Sequence, residues 1–125
     1  MPNFSHKSWE KLASVDERLQ RVFLEVVKTF DCTILEGKRS QERQQWLYDQ
    51  GKSKTLNSKH LDGKAVDAAP YPIDWHDLER FYYFAGFVRG VAYSMGIPLR
   101  LGADWDMDGE VKDHDFKDLV HFELC

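Results

Sequence analysis

An amphipathic helix is the feature that most constrains how this 125-residue chain can fold. From Val15 to Phe30 apolar residues recur at the 3.6-residue period of an α-helix, which gives that helix one face to bury. Ser14 and Glu17 have the spacing of a capping box at its start. A chain of this length buries one core, so we expect a single domain over residues 1–125.

The remaining pattern predicts an α+β fold. Two more helices are expected, from Gln41 to Gln50 after the N-cap Ser40 and from Trp75 to Met95 after the N-cap Asp74. Four short strands are predicted at Cys32 to Leu35, Ala65 to Ala69, Ile97 to Leu101 and Leu119 to Leu124. We therefore expect a small, mainly antiparallel sheet packed with about three helices. The aromatic residues of the third helix are interpreted as core: Trp75, Phe81, Tyr82, Tyr83, Phe84 and Phe87.

Charge and hydropathy exclude several classes of function. A net charge of -4 argues against nucleic-acid binding, which normally needs a basic face. No apolar run approaches the roughly 20 residues needed to cross a bilayer, so we expect no membrane insertion. The first residues lack the apolar core of a secretory signal, which predicts a protein that first stays in the cytoplasm.

A histidine and a carboxylate flank a strong turn signal. His60 and Asp67 are seven residues apart, and Asp62-Gly63 between them lets the chain reverse and bring both side chains to one point. Zinc prefers nitrogen, sulfur and carboxylate ligands, so the pair could belong to a zinc site. Asp67 could equally pair with a lysine or an arginine.

A third candidate ligand, His121, lies in an apolar strand, with Asp118 three residues earlier at the strand entrance. A lone histidine in such a strand is more often a hydrogen-bonded core residue. The helical H-E-x-x-H zinc motif is absent from the sequence. Spacing alone therefore leaves the choice between a metal site and structural polar residues open.

Ordered motifs resemble those of a known family. The pattern is Ser58-x-His60-x-x-Gly63-x-Ala65-x-Asp67 followed by His121-x-Glu123. Gly37-Lys38-Arg39-Ser40 lies upstream of it, and Leu101-Gly102-Ala103-Asp104-Trp105 lies between its two parts. It is similar to zinc peptidases of the D-alanyl-D-alanine carboxypeptidase and dipeptidase group. Of the two resemblances, the closer is to phage endolysins that cleave L-alanyl-D-glutamate bonds in peptidoglycan. The resemblance implies a zinc ion held by His60, Asp67 and His121 at the sheet.

The resemblance also implies roles for residues around the metal. Asp118 is interpreted as the general base, with the alternative that it only orients a ligand histidine. Arg39 is the candidate oxyanion donor, or else a solvated charge before a helix. Ser58 and Gln45 are candidate substrate-binding residues, although of the neighbours Gln44 and Gln45 we expect only one to face the site and the other to face solvent. Ser58 could instead only shape the turn, and the role of Glu123 stays open between orienting a ligand and binding substrate.

An acidic loop adds a possible second cation. Its spacing resembles part of an EF-hand calcium loop, with Asp104, Asp106, Asp108, Asp113 and Asp115 as possible calcium ligands. The alternative is a solvated acidic loop between two strands.

The expected function is therefore that of a phage lysin. We expect a monomeric zinc peptidase that cuts a peptidoglycan stem peptide, stays in the host cytoplasm until it is released to the cell wall, and has no separate wall-binding domain. The alternatives are a D-Ala-D-Ala carboxypeptidase or dipeptidase, and a non-catalytic zinc module that binds wall peptides.

Overall fold

A four-stranded antiparallel sheet with four α-helices forms the fold in the part of the chain that the computed structural model describes, residues 3–53, 55–104, 107 and 118–125. The helices are α1 (His6–Leu12), α2 (Glu17–Val27), α3 (Gln41–Asp49) and α4 (Leu78–Ser94). The strands are β1 (Cys32–Glu36), β2 (Ala65–Pro70), β3 (Leu99–Leu101) and β4 (His121–Leu124), in the sheet order β1-β2-β4-β3. A short 3₁₀ helix, Lys59–Asp62, precedes β2. The predicted α+β class is confirmed.

Helix α2 begins at Glu17, and its N-cap is Asp16. The predicted capping box of Ser14 and Glu17 is therefore wrong. The Asp16 carboxylate accepts the backbone N–H of Arg18 at 2.9 Å and satisfies one of the open donors of the first turn. Ser14 is engaged elsewhere, because its hydroxyl donates to the Lys11 carbonyl and accepts the Lys38 N–H.

The other boundaries differ from the prediction by a few residues. Ser40 caps α3 as predicted, but α4 begins at Leu78 after the N-cap Asp77, three residues beyond the predicted cap Asp74. β3 is shorter than predicted, and β4 begins at His121 instead of Leu119. Helix α1 was not predicted. It is a single short element held to β1 through the buried Ser8, whose hydroxyl accepts the Ile34 N–H at 3.1 Å.

The core lies between α2 and α4 and one face of the sheet. Phe122 of β4 packs edge-on against Phe23 of α2 and Phe84 of α4. Since side chains alternate along a strand, Val66 and Ala68 join this core while Asp67 points to the other face. The interpretation of the α4 aromatics as core holds for Phe81 and Phe84. It is wrong for Tyr83, which is 71% exposed, and for Trp75, which is 57% exposed and precedes the helix.

A β-bulge sets the register that matters for the polar face. Ile34 of β1 pairs with Ala68 of β2, but Glu36 pairs with Asp67, so two residues of β1 oppose one residue of β2. Asp67 in turn pairs with His121 of β4. Glu36, Asp67 and His121 therefore form one row across three neighbouring strands.

Within the described residues, none of the helices has both the length and the apolarity that a membrane span requires.

The Asp16 cap gives a test of the helix boundary. Hydrogen bonds from Arg18 hold the pKa of Asp16 below its ordinary value of 3.8. We expect Asp16→Ala to lower the free energy of unfolding by about 1 kcal/mol at pH 7. Because the folded-state pKa is lowered, this stabilisation is present above the unfolded-state pKa and is lost as the pH falls through the folded-state pKa, so the difference shrinks towards pH 3.

Urea unfolding at both pH values measures this difference. Asp62→Ala is the control, because it removes an equal charge from an exposed side chain outside α2. Equal unfolding midpoints for the two variants at pH 7 would contradict the assignment of the cap.

Candidate active site

Two histidines and one aspartate converge on the polar face of the sheet. His60 Nε2 lies 3.1 Å from Asp67 Oδ1, and His121 Nδ1 lies 3.3 Å from the same oxygen. The three ligand atoms all lie within 4.8 Å of one another, a geometry that could hold one metal ion. The structure thus brings together His60, Asp67 and His121, the three residues predicted to form one site.

Local backbone structure places each of these side chains. His60 lies in the 3₁₀ helix that Ser58 caps, with the Ser58 hydroxyl accepting the His60 N–H. That helix ends at Gly63, whose φ of 69° is in the left-handed region that favours glycine. The chain then turns into β2, which carries Asp67, and His121 is the cross-strand neighbour on β4. The reversal between His60 and Asp67 is the one that the Asp62-Gly63 signal predicted.

The hydrogen bonds on the outer side of each imidazole determine what faces the centre. His60 Nδ1 lies 2.8 Å from the Gly37 carbonyl, which can only accept, so this nitrogen carries the proton. His121 Nε2 lies 2.9 Å from Glu123 Oε1, an arrangement that places its proton on that side too. In the neutral imidazoles, two nitrogen lone pairs and a carboxylate oxygen therefore point at one centre. Three acceptors this close need a cation or a proton between them.

The ionisation of the cluster agrees with that requirement. Burial raises the pKa of Asp67, but the hydrogen bonds with His121 and His60 outweigh it and hold this pKa well below its usual range. Burial lowers the pKa of His121, but the hydrogen bonds to Asp67 and Glu123 raise it to about 9. The site thus favours positive charge at its centre, which is the condition for binding a cation.

Arg39 is held rigidly beside the cluster. Its Nε and Nη2 donate to the two carboxylate oxygens of Glu36 at 2.8 and 2.7 Å, and its Nη1 donates to Gln44 at 2.7 Å. Nη2 also lies 3.7 Å from Asp67 Oδ2. The backbone N–H of Arg39 donates to the His60 carbonyl, which ties the arginine to the loop of the first histidine. This guanidinium is buried and paired, unlike a solvated charge.

The structure distinguishes two adjacent glutamines of α3, Gln44 and Gln45. Gln44 is fully buried, accepts from Arg39 and donates to Ser53 Oγ and the Thr55 carbonyl. Gln45, the predicted substrate-binding residue, lies on the exposed face of the helix and donates to Asp49. Gln44 is therefore the member of this pair that contacts residues of the pocket wall, namely Arg39, Ser53 and Thr55.

Asp118 lies at the entrance of β4, in the wall of the same pocket. Its backbone N–H donates to the Gly102 carbonyl, and a Cβ at position 102 would collide with the Asp118 carbonyl, so this approach requires glycine. Burial raises the pKa of Asp118, and the negative charge of Asp67 raises it further. The pocket has a volume of about 220 Å³. Its lining comprises Glu36, Arg39, Leu47, Lys52, Ser53, Thr55, Ser58, His60, Asp67, Asp118 and His121.

The predicted calcium ligands fall almost entirely outside the described residues. Asp106, Asp108, Asp113 and Asp115 lie there, whereas Asp104 is described and is buried. The described residues give no support to the calcium hypothesis.

Comparison with known proteins identifies the family to which the chain belongs. The chain matches the family of phage L-alanyl-D-glutamate peptidases over residues 2–125. The L-alanyl-D-glutamate peptidase of Escherichia phage T5 is 35% identical over 118 residues, an alignment that covers 88% of this chain and 86% of that protein. The chain belongs to the phage L-alanyl-D-glutamate peptidase family. The predicted enzyme class is thereby confirmed.

Solved structures agree with this assignment. The crystal structure of the Serratia marcescens L-Ala D-Glu endopeptidase ChiX matches with a TM-score of 0.81 and 30% identity, over 99% of this chain and 91% of that one. The vancomycin-resistance D,D-dipeptidase VanXYg, solved with a D-Ala-D-Ala phosphinate analogue, matches with a TM-score of 0.56 and 22% identity. That match covers 86% of this chain and 47% of the dipeptidase, and it shows a shared fold.

Sequence reasoning missed one residue of this peptidase's site, Glu36, and of the pair Gln44 and Gln45 it chose the exposed one. Glu36 reaches Arg39 because of the β1 bulge, and a bulge leaves no signal in the alternation of five residues. Gln44 could have been chosen from the helix period, because it lies three residues before Leu47, the other buried residue of α3.

The contrast between the two glutamines gives a test. Gln44→Ala removes the acceptor of Arg39 and the donor to Thr55 at a buried position, so we expect a loss of about 1–3 kcal/mol in the free energy of unfolding. Gln45→Ala changes an exposed side chain, and its effect should stay within about 0.5 kcal/mol. Denaturant unfolding of both variants measures the difference. A larger loss for Gln45→Ala would contradict the described placement.

Proposed function

We propose that this chain is a zinc-dependent endopeptidase that hydrolyses the L-Ala-D-Glu bond of peptidoglycan stem peptides. The observation that carries the proposal is the convergence of His60 Nε2, Asp67 Oδ1 and His121 Nδ1 within 4.8 Å of one another. The three atoms lie in a pocket of a chain that belongs to the L-alanyl-D-glutamate peptidase family. The phage T5 relative and ChiX bear the names of enzymes that act on this bond.

The donor set fits zinc. Two imidazole nitrogens and one carboxylate oxygen are a ligand set of catalytic zinc sites, which keep a further position open. The outer hydrogen bonds to the Gly37 carbonyl and to Glu123 are of the kind that fixes metal-binding histidines. Bound there, zinc supplies Lewis acidity that polarises the scissile carbonyl and an attacking water.

Asp118 is proposed as the general base. It shares the pocket with the three ligands, and the raised pKa of Asp118 makes it a better proton acceptor than an ordinary aspartate. In this role its carboxylate takes a proton from the attacking water and returns it to the amine of the departing D-Glu. The carboxylate is thereby regenerated for the next turnover.

Arg39 is proposed to stabilise the oxyanion that forms on the L-Ala carbonyl. Its contacts with Glu36 and Gln44 occupy three of the five guanidinium N–H groups, and the arginine lines the pocket. A donor that is fixed before reaction stabilises developing charge without reorganising. Ser58 also lines the pocket, and its hydroxyl can donate to substrate while it accepts the His60 N–H.

The phage relative supports a role at the cell wall. We propose that the protein acts as a monomeric lysin, kept in the host cytoplasm until it is released onto the cell wall.

Digestion of purified peptidoglycan tests the function. We expect mass spectrometry to show fragments with a new D-Glu amino terminus, no such fragments after treatment with a chelator, and recovery when zinc is added. Intact stem peptides with zinc bound to the protein would favour a binding module. Cleavage between two D-Ala residues would favour a D,D-peptidase.

The role of Asp118 has its own test. We expect Asp118→Asn and Asp118→Ala to lower turnover by at least about 10²-fold, while zinc content stays at about one ion per chain. His121→Ala is the matched control, since it should lose both activity and zinc. Loss of zinc from the Asp118 variants would show that Asp118 serves the metal and not proton transfer.

A further inference from the structure

A second cavity adjoins the candidate active site. It has a volume of about 220 Å³ and is lined by Trp75, Leu78, Phe81, Asp118, Leu119 and Val120. Asp118 lines both cavities, so a ligand bound at the proposed zinc site can extend past this side chain into the second one. Apart from Asp118, these lining residues are apolar.

The floor of this cavity is an aromatic platform. The rings of Trp75 and Phe81 are stacked, with centroids 5.3 Å apart and planes inclined by 19°. Phe81 is 2% exposed and anchored in α4, whereas Trp75 is 57% exposed. One face of the indole is thus supported by a buried ring, and the ring remains accessible to solvent. Leu78, in the first turn of α4, is also exposed. Adjacent exposed apolar side chains of this size beside a reaction centre indicate a binding surface.

The two cavities differ in polarity. The cavity at the candidate active site is polar. It is lined by the cations Lys52 and Arg39 and by the hydroxyl groups of Ser53, Thr55 and Ser58, which suit a carboxylate-bearing ligand. The second offers aromatic and aliphatic carbon. A substrate that spans both must therefore be charged at one end and carry a flat apolar face at the other.

We propose that the groove formed by Trp75, Leu78, Phe81, Leu119 and Val120 is a subsite for the muramyl sugar that carries the stem peptide. This inference rests on the proposed cleavage of the L-Ala-D-Glu bond. In peptidoglycan the L-Ala nitrogen is joined to the lactyl group of the muramyl residue, so the sugar lies one amino acid from that bond. The C–H face of a pyranose ring packs flat on an aromatic ring, whereas D-Glu and the diamino acid beyond it are charged and suit the polar cavity.

Paired substrates test this subsite in the zinc-loaded enzyme. One is a muramyl tetrapeptide, and the other is the identical tetrapeptide without its sugar. We expect Trp75→Ala to lower kcat/KM for the muramyl substrate by about tenfold, with little change for the free peptide. Trp75→Phe keeps a ring and should recover most of the activity. Tyr93→Ala is the matched control, because Tyr93 is an exposed aromatic residue of α4 that does not line the groove.

The outcomes separate the subsite from a general effect. An equal loss on both substrates, or no loss on either, would overturn the proposal. Binding of N-acetylmuramyl-L-Ala, followed through the Trp75 indole N–H signal by nuclear magnetic resonance, gives a readout that does not depend on hydrolysis. If wild-type protein cleaves neither substrate, the proposed function fails. A perturbed indole signal would still support the sugar site, and an unchanged signal would overturn it.

Discussion

The carboxylate of Asp67 is the group on which the rest of the site depends. Its side chain is 14% exposed and lies between two imidazoles and a guanidinium, so its burial is compensated only if all three stay in place. His121 is its partner in the β2–β4 register. A slip of one residue in β2 or β4 would turn the polar side chain of the slipped strand, Asp67 or His121, towards the core face, where Phe122 now packs. The apolar core therefore fixes the register, and the register fixes the cluster.

The bulge in β1 adds Glu36 to the row that Asp67 and His121 form across the sheet. Without it, Leu35 would stand opposite Asp67, since Ile34 pairs with Ala68. With it, Glu36 takes that place and holds Arg39 by two hydrogen bonds. Gln44 then joins the arginine to the loop at Ser53 and Thr55. One irregularity of the strand thus gives the cluster a fixed cation on one side, while Asp118 lies in the wall of the same pocket.

Sequence patterns predicted the parts of this arrangement that depend on local periodicity. The apolar stripe of α2 and the turn at Gly63 are encoded by neighbouring residues, and both are present. The same turn signal indicated that His60 and Asp67 come together, but the addition of His121 depends on strand pairing over more than fifty residues, and only the family resemblance indicated it. The bulge at Glu36 and the exposure of Trp75 depend on tertiary packing, which no local pattern records.

The proposed zinc site and the proposed sugar subsite lie on different parts of the fold. The proposed zinc ligands come from β2, β4 and the 3₁₀ helix, and the sheet holds them through backbone pairing. The groove with Trp75 is built from the segment before α4, the start of that helix and the approach to β4, all of which lie outside the paired strands. VanXYg shares this fold at 22% identity but is named for a different bond. Because a shared fold does not by itself determine which bond is cut, that choice must depend on the side chains placed around the common scaffold.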